Sequence, residues 1–142
     1  MSNLPDARVA RVIETAVYCD DLSRARDFYT TVLGFETMLD TPRLVALDVG
    51  GQSVLLLFQR GLSEDGDQTD GGRVPGHGAQ GTQHFAFAIT LAAVSSWTAR
   101  LAAAGVAVES TVHWPRGGKS LYFRDPDGHS VELLTDRSWP IY

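Results

Sequence analysis

The sequence predicts an α+β fold: two β-α-β-β-β modules whose sheets form an open, cupped barrel around a central pocket. Three observations carry that expectation. Gly51-Gln-Ser-Val-Leu-Leu-Leu57 recurs, slightly altered, as Gly128-His-Ser-Val-Glu-Leu-Leu134. Two stretches place apolar residues three and four apart, the spacing of a helix with one buried face. The strand-like runs alternate bulky with small or polar residues, as in a sheet whose two faces meet different surroundings.

The first module spans about residues 8–60. Its opening strand is Glu14–Asp20. A helix follows from Leu22 to Leu33, with Asp20 or Asp21 as N-cap and Ala25, Phe28, Tyr29, Val32 and Leu33 on the inner face. Gly34 ends it in a left-handed turn. Strands are expected at Phe35–Leu39 and Arg43–Val49, then in the repeated motif itself. The second module, about 82–135, repeats the plan. It has a strand from His84 to Thr90, a helix Ala92–Ala104 closed by Gly105, strands Val106–Ser110 and Lys119–Arg124, and the second motif copy. Between the modules, residues 61–81 hold seven glycines and no apolar periodicity, which reads as a linker or mobile loop. The tail, 136–142, ends in the apolar Ser138-Trp-Pro-Ile-Tyr142, expected to pack on the body or on a second subunit.

At 142 residues the chain suits a single domain, 1–142, with a real core. A net charge of −5 argues against nucleic acid or an anionic membrane as partner. One cysteine, Cys19, permits no internal disulfide and fits a reducing compartment. The longest apolar runs, such as Val54–Phe58, are too short to span a bilayer, and the N-terminus lacks a signal-peptide profile. The expectation is a cytoplasmic protein.

The repeat also points to a site. Glu14 aligns with His84, and the apolar Leu55 aligns with Glu132. A carboxylate inside an apolar strand is costly to bury without a partner. Glu14 and Ala16 share one strand face, His84, Ala86 and Ala88 another, and Ser130, Glu132 and Leu134 a third. Helices on the convex side leave these faces to line the concavity. One imidazole and two carboxylates suit one divalent cation such as Mn²⁺, Fe²⁺, Ni²⁺ or Zn²⁺, with positions left open for substrate. The plainer alternatives are a hydrogen-bonded core histidine, a solvated Glu14, and a Glu132 paired with Arg124.

Three signatures resemble the vicinal oxygen chelate superfamily, which includes glyoxalase I, extradiol dioxygenases, fosfomycin-resistance transferases and bleomycin-resistance proteins. They are Asp21-Leu-Ser-Arg-Ala-Arg-Asp-Phe-Tyr29 leading to Val32-Leu-Gly-Phe35, then Thr82-Gln-His-Phe-Ala-Phe87, then Tyr122-Phe-Arg-Asp-Pro-Asp-Gly-His-Ser-Val-Glu132. The resemblance implies a glyoxalase-like fold, metal ligands at Glu14, His84 and Glu132, and a homodimer. It also marks departures. Leu55 falls where glyoxalase I carries a fourth, carboxylate ligand, and Glu14 stands where dioxygenases and fosfomycin-resistance enzymes carry histidine. The lysine expected before the Gly117-Gly118 loop is absent, Val112 being nearest.

Two functions follow as expectations. The first is a metal-dependent enzyme acting on a small substrate with adjacent oxygens, through lyase, isomerase or transferase chemistry. The resemblance to glyoxalase I implies that Glu14 or Glu132 doubles as base, while Tyr122 would act on substrate oxygen, and Ser120, Tyr122, Arg43 and Trp114 would bind substrate. The second is a metal-free drug-sequestering protein of the bleomycin-resistance type. His77 and His113 read as solvated loop histidines, and Asp125-Pro-Asp-Gly128 as a plain turn.

Overall fold

A computed structural model describes residues 5–142. The first module runs β1 (Glu14–Cys19), α1 (Leu22–Thr31), β2 (Glu36–Asp40), β3 (Leu44–Val49) and β4 (Ser53–Gln59). A hairpin of β5 (Asp67–Thr69) and β6 (Gly72–Val74) follows. The second module runs β7 (His84–Ile89), a single 3₁₀ turn, α2 (Val94–Ala103), β8 (Ser110–His113), β9 (Lys119–Arg124) and β10 (Ser130–Thr135). The sheets have the same topology, β1-β4-β3-β2 and β7-β10-β9-β8, and neither closes. In each, the outer first strand lies parallel to the last and the remaining pairs are antiparallel.

Local chemistry explains the helices. The Asp21 carboxylate accepts the Arg24 N–H at 3.1 Å and caps α1. Gly34 (φ 76°) and Gly105 (φ 71°) then take the left-handed turns that end α1 and α2. One strand lies elsewhere than the sequence suggests. Val106 and Val108 pack on the core outside any strand, and β8 begins only at Ser110. Apolar alternation there reflects burial, not ladder pairing.

Both sheets send one face into a single core. Val17, Cys19, Val45, Leu47, Leu55 and Leu57 come from the first sheet, and Leu121, Phe123, Val131 and Leu133 from the second. The helices fill the space between them. Tyr29 of α1 meets Phe85, and Phe28 meets Phe123, so the first helix packs on the second sheet. The opposite sheet faces therefore lie on the outside of this core as two separate cups.

The residues 125–129 turn joins the modules and is far more than a plain turn. Asp125 accepts the Tyr29 hydroxyl at 2.6 Å and the His129 backbone N–H at 2.9 Å. His129 is buried: its Nδ1 accepts from Gln83 N–H at 2.9 Å while its Nε2–H donates to the Tyr18 carbonyl at 2.8 Å. Both ring nitrogens are used, which is the neutral imidazole with one defined tautomer. Asp127 takes the Asp20 N–H at 2.8 Å.

The linker expectation also changes. Residues 61–81 fold back over the first cup, carry the β5–β6 hairpin, and bury Ser63. Arg43 holds this segment through Asp67 at 2.9 Å and the Leu62 carbonyl at 3.0 Å. A Cβ at Gly76 would collide with the Glu64 carbonyl, so here the glycines permit close packing. In the tail, Tyr142 donates its hydroxyl to the Ile89 carbonyl at 3.0 Å, while Trp139 and Ile141 stay exposed. Among the described residues no helix is long and apolar enough to cross a membrane.

Candidate functional site

Strand register decides which side chains enter each cup. β1 pairs with β4 as Glu14 with Val54, and β7 pairs with β10 as His84 with Ser130. Counting two residues on from each pair, Leu56 occupies in the first cup the place that Glu132 occupies in the second. The motif alignment matched Leu55 to Glu132, and it is one residue out. The hairpins explain why: three residues separate paired Val49 and Ser53, but five separate paired Arg124 and Ser130. A one-residue slip exchanges the faces of a strand. Leu55 accordingly lies in the core.

The second cup holds a tight polar cluster on β7, β9 and β10. His84 Nε2 lies 3.2 Å from Glu132 Oε1. His84 Nδ1 is 3.0 Å from the Ser130 carbonyl, an acceptor only, so Nδ1 carries the proton in that bond. Ser120 donates to Glu132 Oε2 and accepts the Trp114 Nε1–H at 2.7 Å. Tyr122 stacks beside His84 with ring centroids 6.1 Å apart. Burial pushes the Tyr122 phenol up from its usual range, and the neighbouring Glu132 carboxylate adds to this. The phenol thus keeps its proton.

Burial divides these residues by role. The Glu132 side chain is 8% exposed and that of His84 53%, so the pair is reached from the histidine side. Ser120, expected to touch substrate, is fully covered, and its hydroxyl is occupied on both sides. Its position makes it a holder of Glu132. Trp114, expected at the same task, supports Ser120 in turn.

Glu14 lies in the first cup, which the sequence reading had merged with the second. It lines a cavity of about 740 Å³ with Ala16, Tyr18, Leu44, Leu56 and Phe58 as floor and residues 63–77 as roof. None of the cavity-lining residues comes from β7–β10. Among the described residues no group of three His, Cys, Asp or Glu is placed to hold a metal ion. One chain therefore brings together His84 and Glu132 and leaves Glu14 apart. The reason is that both modules turn their bulky faces to a common core, which sends their small, polar faces outward.

Arg43 also lines the first cavity, with its guanidinium engaged by the roof. His113 is exposed at the end of β8. His77, read as a solvated loop residue, instead shares a 2.6 Å hydrogen bond with the Tyr18 hydroxyl and packs edge-on against Phe58 at 4.6 Å. Sequence reasoning missed this, as it missed His129. For His129 the signal was present, since a turn two residues longer than its copy has extra chain to place.

Comparison with known proteins agrees with this architecture. The model of the glyoxalase/bleomycin resistance protein/dioxygenase superfamily matches residues 11–133. Catechol-2,3-dioxygenase of Bacillus subtilis (strain 168) is 30% identical over 117 residues, which cover 82% of this chain. The chain spans only 38% of that relative's length. The crystal structure of lactoylglutathione lyase from Agrobacterium tumefaciens is 38% identical with a TM-score of 0.86, covering 94% of this chain and 99% of that one. An integron cassette protein from the mobile metagenome of Halifax Harbour Sewage Outfall is 27% identical with a TM-score of 0.71, covering 89% and 99%. Two topologically identical modules, the His84–Glu132 pair and a match running through both halves lead to one assignment: the chain belongs to the glyoxalase/bleomycin resistance protein/dioxygenase superfamily.

Proposed function

We propose that the protein is a divalent-metal-dependent enzyme acting on a small substrate with adjacent oxygens, by lyase, isomerase or transferase chemistry. The observation that carries this reading is the 3.2 Å approach of His84 Nε2 to Glu132 Oε1. With Nδ1 bonded to the Ser130 carbonyl, Nε2 is the ring nitrogen left to face the Glu132 carboxylate. Two acceptors so placed repel unless a cation or a proton sits between them. The 3.2 Å separation lets the two atoms share a proton, and it would equally let them hold one cation between them.

The residues fit a hard or borderline dication, and His84, Glu132 and a second carboxylate, Glu14, would hold it. Because one chain keeps Glu14 apart, the proposal includes a homodimer in which the partner subunit's Glu14 completes each site. Such a closed two-fold pair makes two equivalent sites. A divalent metal bound there supplies Lewis-acid stabilisation to negative charge developing on substrate oxygen. The chain's own groups do the rest. Ser120 and Trp114 fix the Glu132 carboxylate, Tyr122 donates a hydrogen bond toward substrate, and Glu14 is the more accessible carboxylate for moving a proton. The same proposal places the dimer in the cytoplasm with no nucleic-acid or membrane partner, in keeping with a net charge of −5 and one buried thiol.

A second reading, metal-free sequestration of an apolar drug, is favoured by one feature, the roofed and largely apolar first cavity. Calorimetric titration of metal-stripped protein with Mn²⁺, Ni²⁺ and Zn²⁺ separates the two. The wild type is expected to bind one ion per chain, and Glu132→Leu to bind none while keeping its circular dichroism. Wild-type binding no stronger than that of Glu132→Leu would replace the enzyme with the binder.

A further inference from the structure

The first cup carries a feature that the metal reading does not use. Its floor is the small and aromatic face of β1 and β4: Ala16, Tyr18, Leu56 and Phe58. Its roof is the chain's own 63–77 segment, pinned by Arg43. Tyr18 and Phe58 stack at 5.8 Å with planes 26° apart, and His77 descends from the roof onto Phe58. Aliphatic walls come from Leu39, Leu44, Val74 and Pro75. A β-bulge between Thr37 and Leu39 is what brings Leu39 opposite Ala46 and onto this face.

We propose that this cavity is a recognition pocket for an aromatic group of the substrate, with Tyr18, Phe58 and His77 as its specificity-determining residues. The volume, about 740 Å³, is that of a small-molecule site, and its surface is mostly apolar with few convergent polar groups. Aromatic walls favour an aromatic guest through offset and edge-on contacts, worth about 0.5–1.5 kcal/mol each beyond simple burial. At the inner end the Tyr18–His77 pair offers one donor and one acceptor to a polar substituent. At the other end of the same strand face stands Glu14. Tyr18 lies four steps along the strand from Glu14, about 13 Å at the usual rise. A ligand spanning that distance has adjacent oxygens at one end and a ring at the other. The class is an aromatic compound without negative charge on its ring end, since Arg43 is paired with Asp67 and Glu14 lines the same cavity. This proposal rests on the metal reading only for the orientation of the ligand, not for the existence of the pocket.

The test uses metal-stripped, full-length protein and 2-naphthol as probe, followed by amide NMR shifts and equilibrium dialysis. Naphthol is expected to move the resonances of residues 16–18, 56–58 and 63–77 and to bind at least tenfold more tightly than cyclohexanol. Phe58→Ala should weaken naphthol binding at least tenfold. Ala16→Phe, which fills the floor without emptying it, should do the same, and it serves where Phe58→Ala fails to fold. Shifts confined to the second cup, equal affinity for cyclohexanol, or unchanged binding by a folded variant would overturn the pocket. Naphthol binding without any Mn²⁺ or Ni²⁺ binding sinks the metal enzyme and leaves the pocket standing; metal binding without naphthol does the reverse.

Discussion

Tyr29 of the first module donates its hydroxyl to the Asp125 carboxylate of the second across 2.6 Å, in the interior shared by both. Tyr29→Phe removes that donor and leaves a buried carboxylate oxygen short of a partner. Loss of a hydrogen bond to a charged group costs about 1.5–3 kcal/mol. Urea unfolding should show a lower midpoint with an unchanged slope. A midpoint equal to the wild type's would mean that the modules are held together by apolar packing alone.

The same interior sets the response to alkali. Burial, reinforced by Asp125, raises the Tyr29 phenol well above its ordinary 10.0, and burial with Asp127 and Asp125 raises the Cys19 thiol from 9.0. The unfolded chain releases these protons near the ordinary values, while the folded chain keeps them. The folded state then holds more protons, so stability falls as pH rises. Stability should be flat in these two groups below pH 9, decline above it, and decline more steeply above 10. Melting temperatures measured from pH 8 to 11 check this, and Tyr29→Phe should flatten the steeper part.

Ser120→Ala deprives Glu132 of its donor without touching the oxygen that faces His84. Removing such an outer support weakens metal affinity by about 10–100-fold. Manganese titration followed by electron paramagnetic resonance would show it. Equal affinities for Ser120→Ala and wild type would deny Ser120 its holding role.

A site shared between subunits makes a mixing prediction. Glu14→Gln and His84→Ala should each fail to bind metal as homodimers. After unfolding and refolding together in equal amounts, half the dimers are mixed, and each mixed dimer carries one intact site. Binding should return to about a quarter of wild-type capacity. No recovery from the mixture, with dimers confirmed by sedimentation, would remove Glu14 from the ligand set or place the site within one chain.

Arg43 ties the roof to the sheet through Asp67 and Leu62. Arg43→Met should leave the sheets intact and speed limited proteolysis within residues 61–81 several-fold. A cleavage rate like the wild type's would show that the glycine-rich segment holds itself.

The elements that burial alone dictates were readable from the residues. Phe85 and Phe87 against His84, Ala86 and Ala88 on β7, and Val131 and Leu133 against Glu132 on β10, separate core from cup as alternation requires. The caps at Asp21, Gly34 and Gly105 were equally plain. What failed was information that a local pattern does not contain. The Leu55–Glu132 match rested on residue likeness, whereas side is set by pairing register, which depends on turn length. The roof over 61–81 depends on Arg43, Asp67, Tyr18 and His77, whose contacts are long-range. The gathering of Glu14 with His84 assumed that two like modules share one concavity. Their packing through Tyr29, Phe85 and Phe123 puts them back to back.

A chain made of two like halves has only one connector, and that fact breaks its symmetry. The segment leaving β4 folds over the half it has just completed, so the roof of the first cavity comes from the connector itself. The halves are thus free to diverge under different demands. Sequence change in 61–81 reshapes the volume above Phe58 without touching His84 or Glu132, so the roof of the first cup and the polar pair of the second can vary independently.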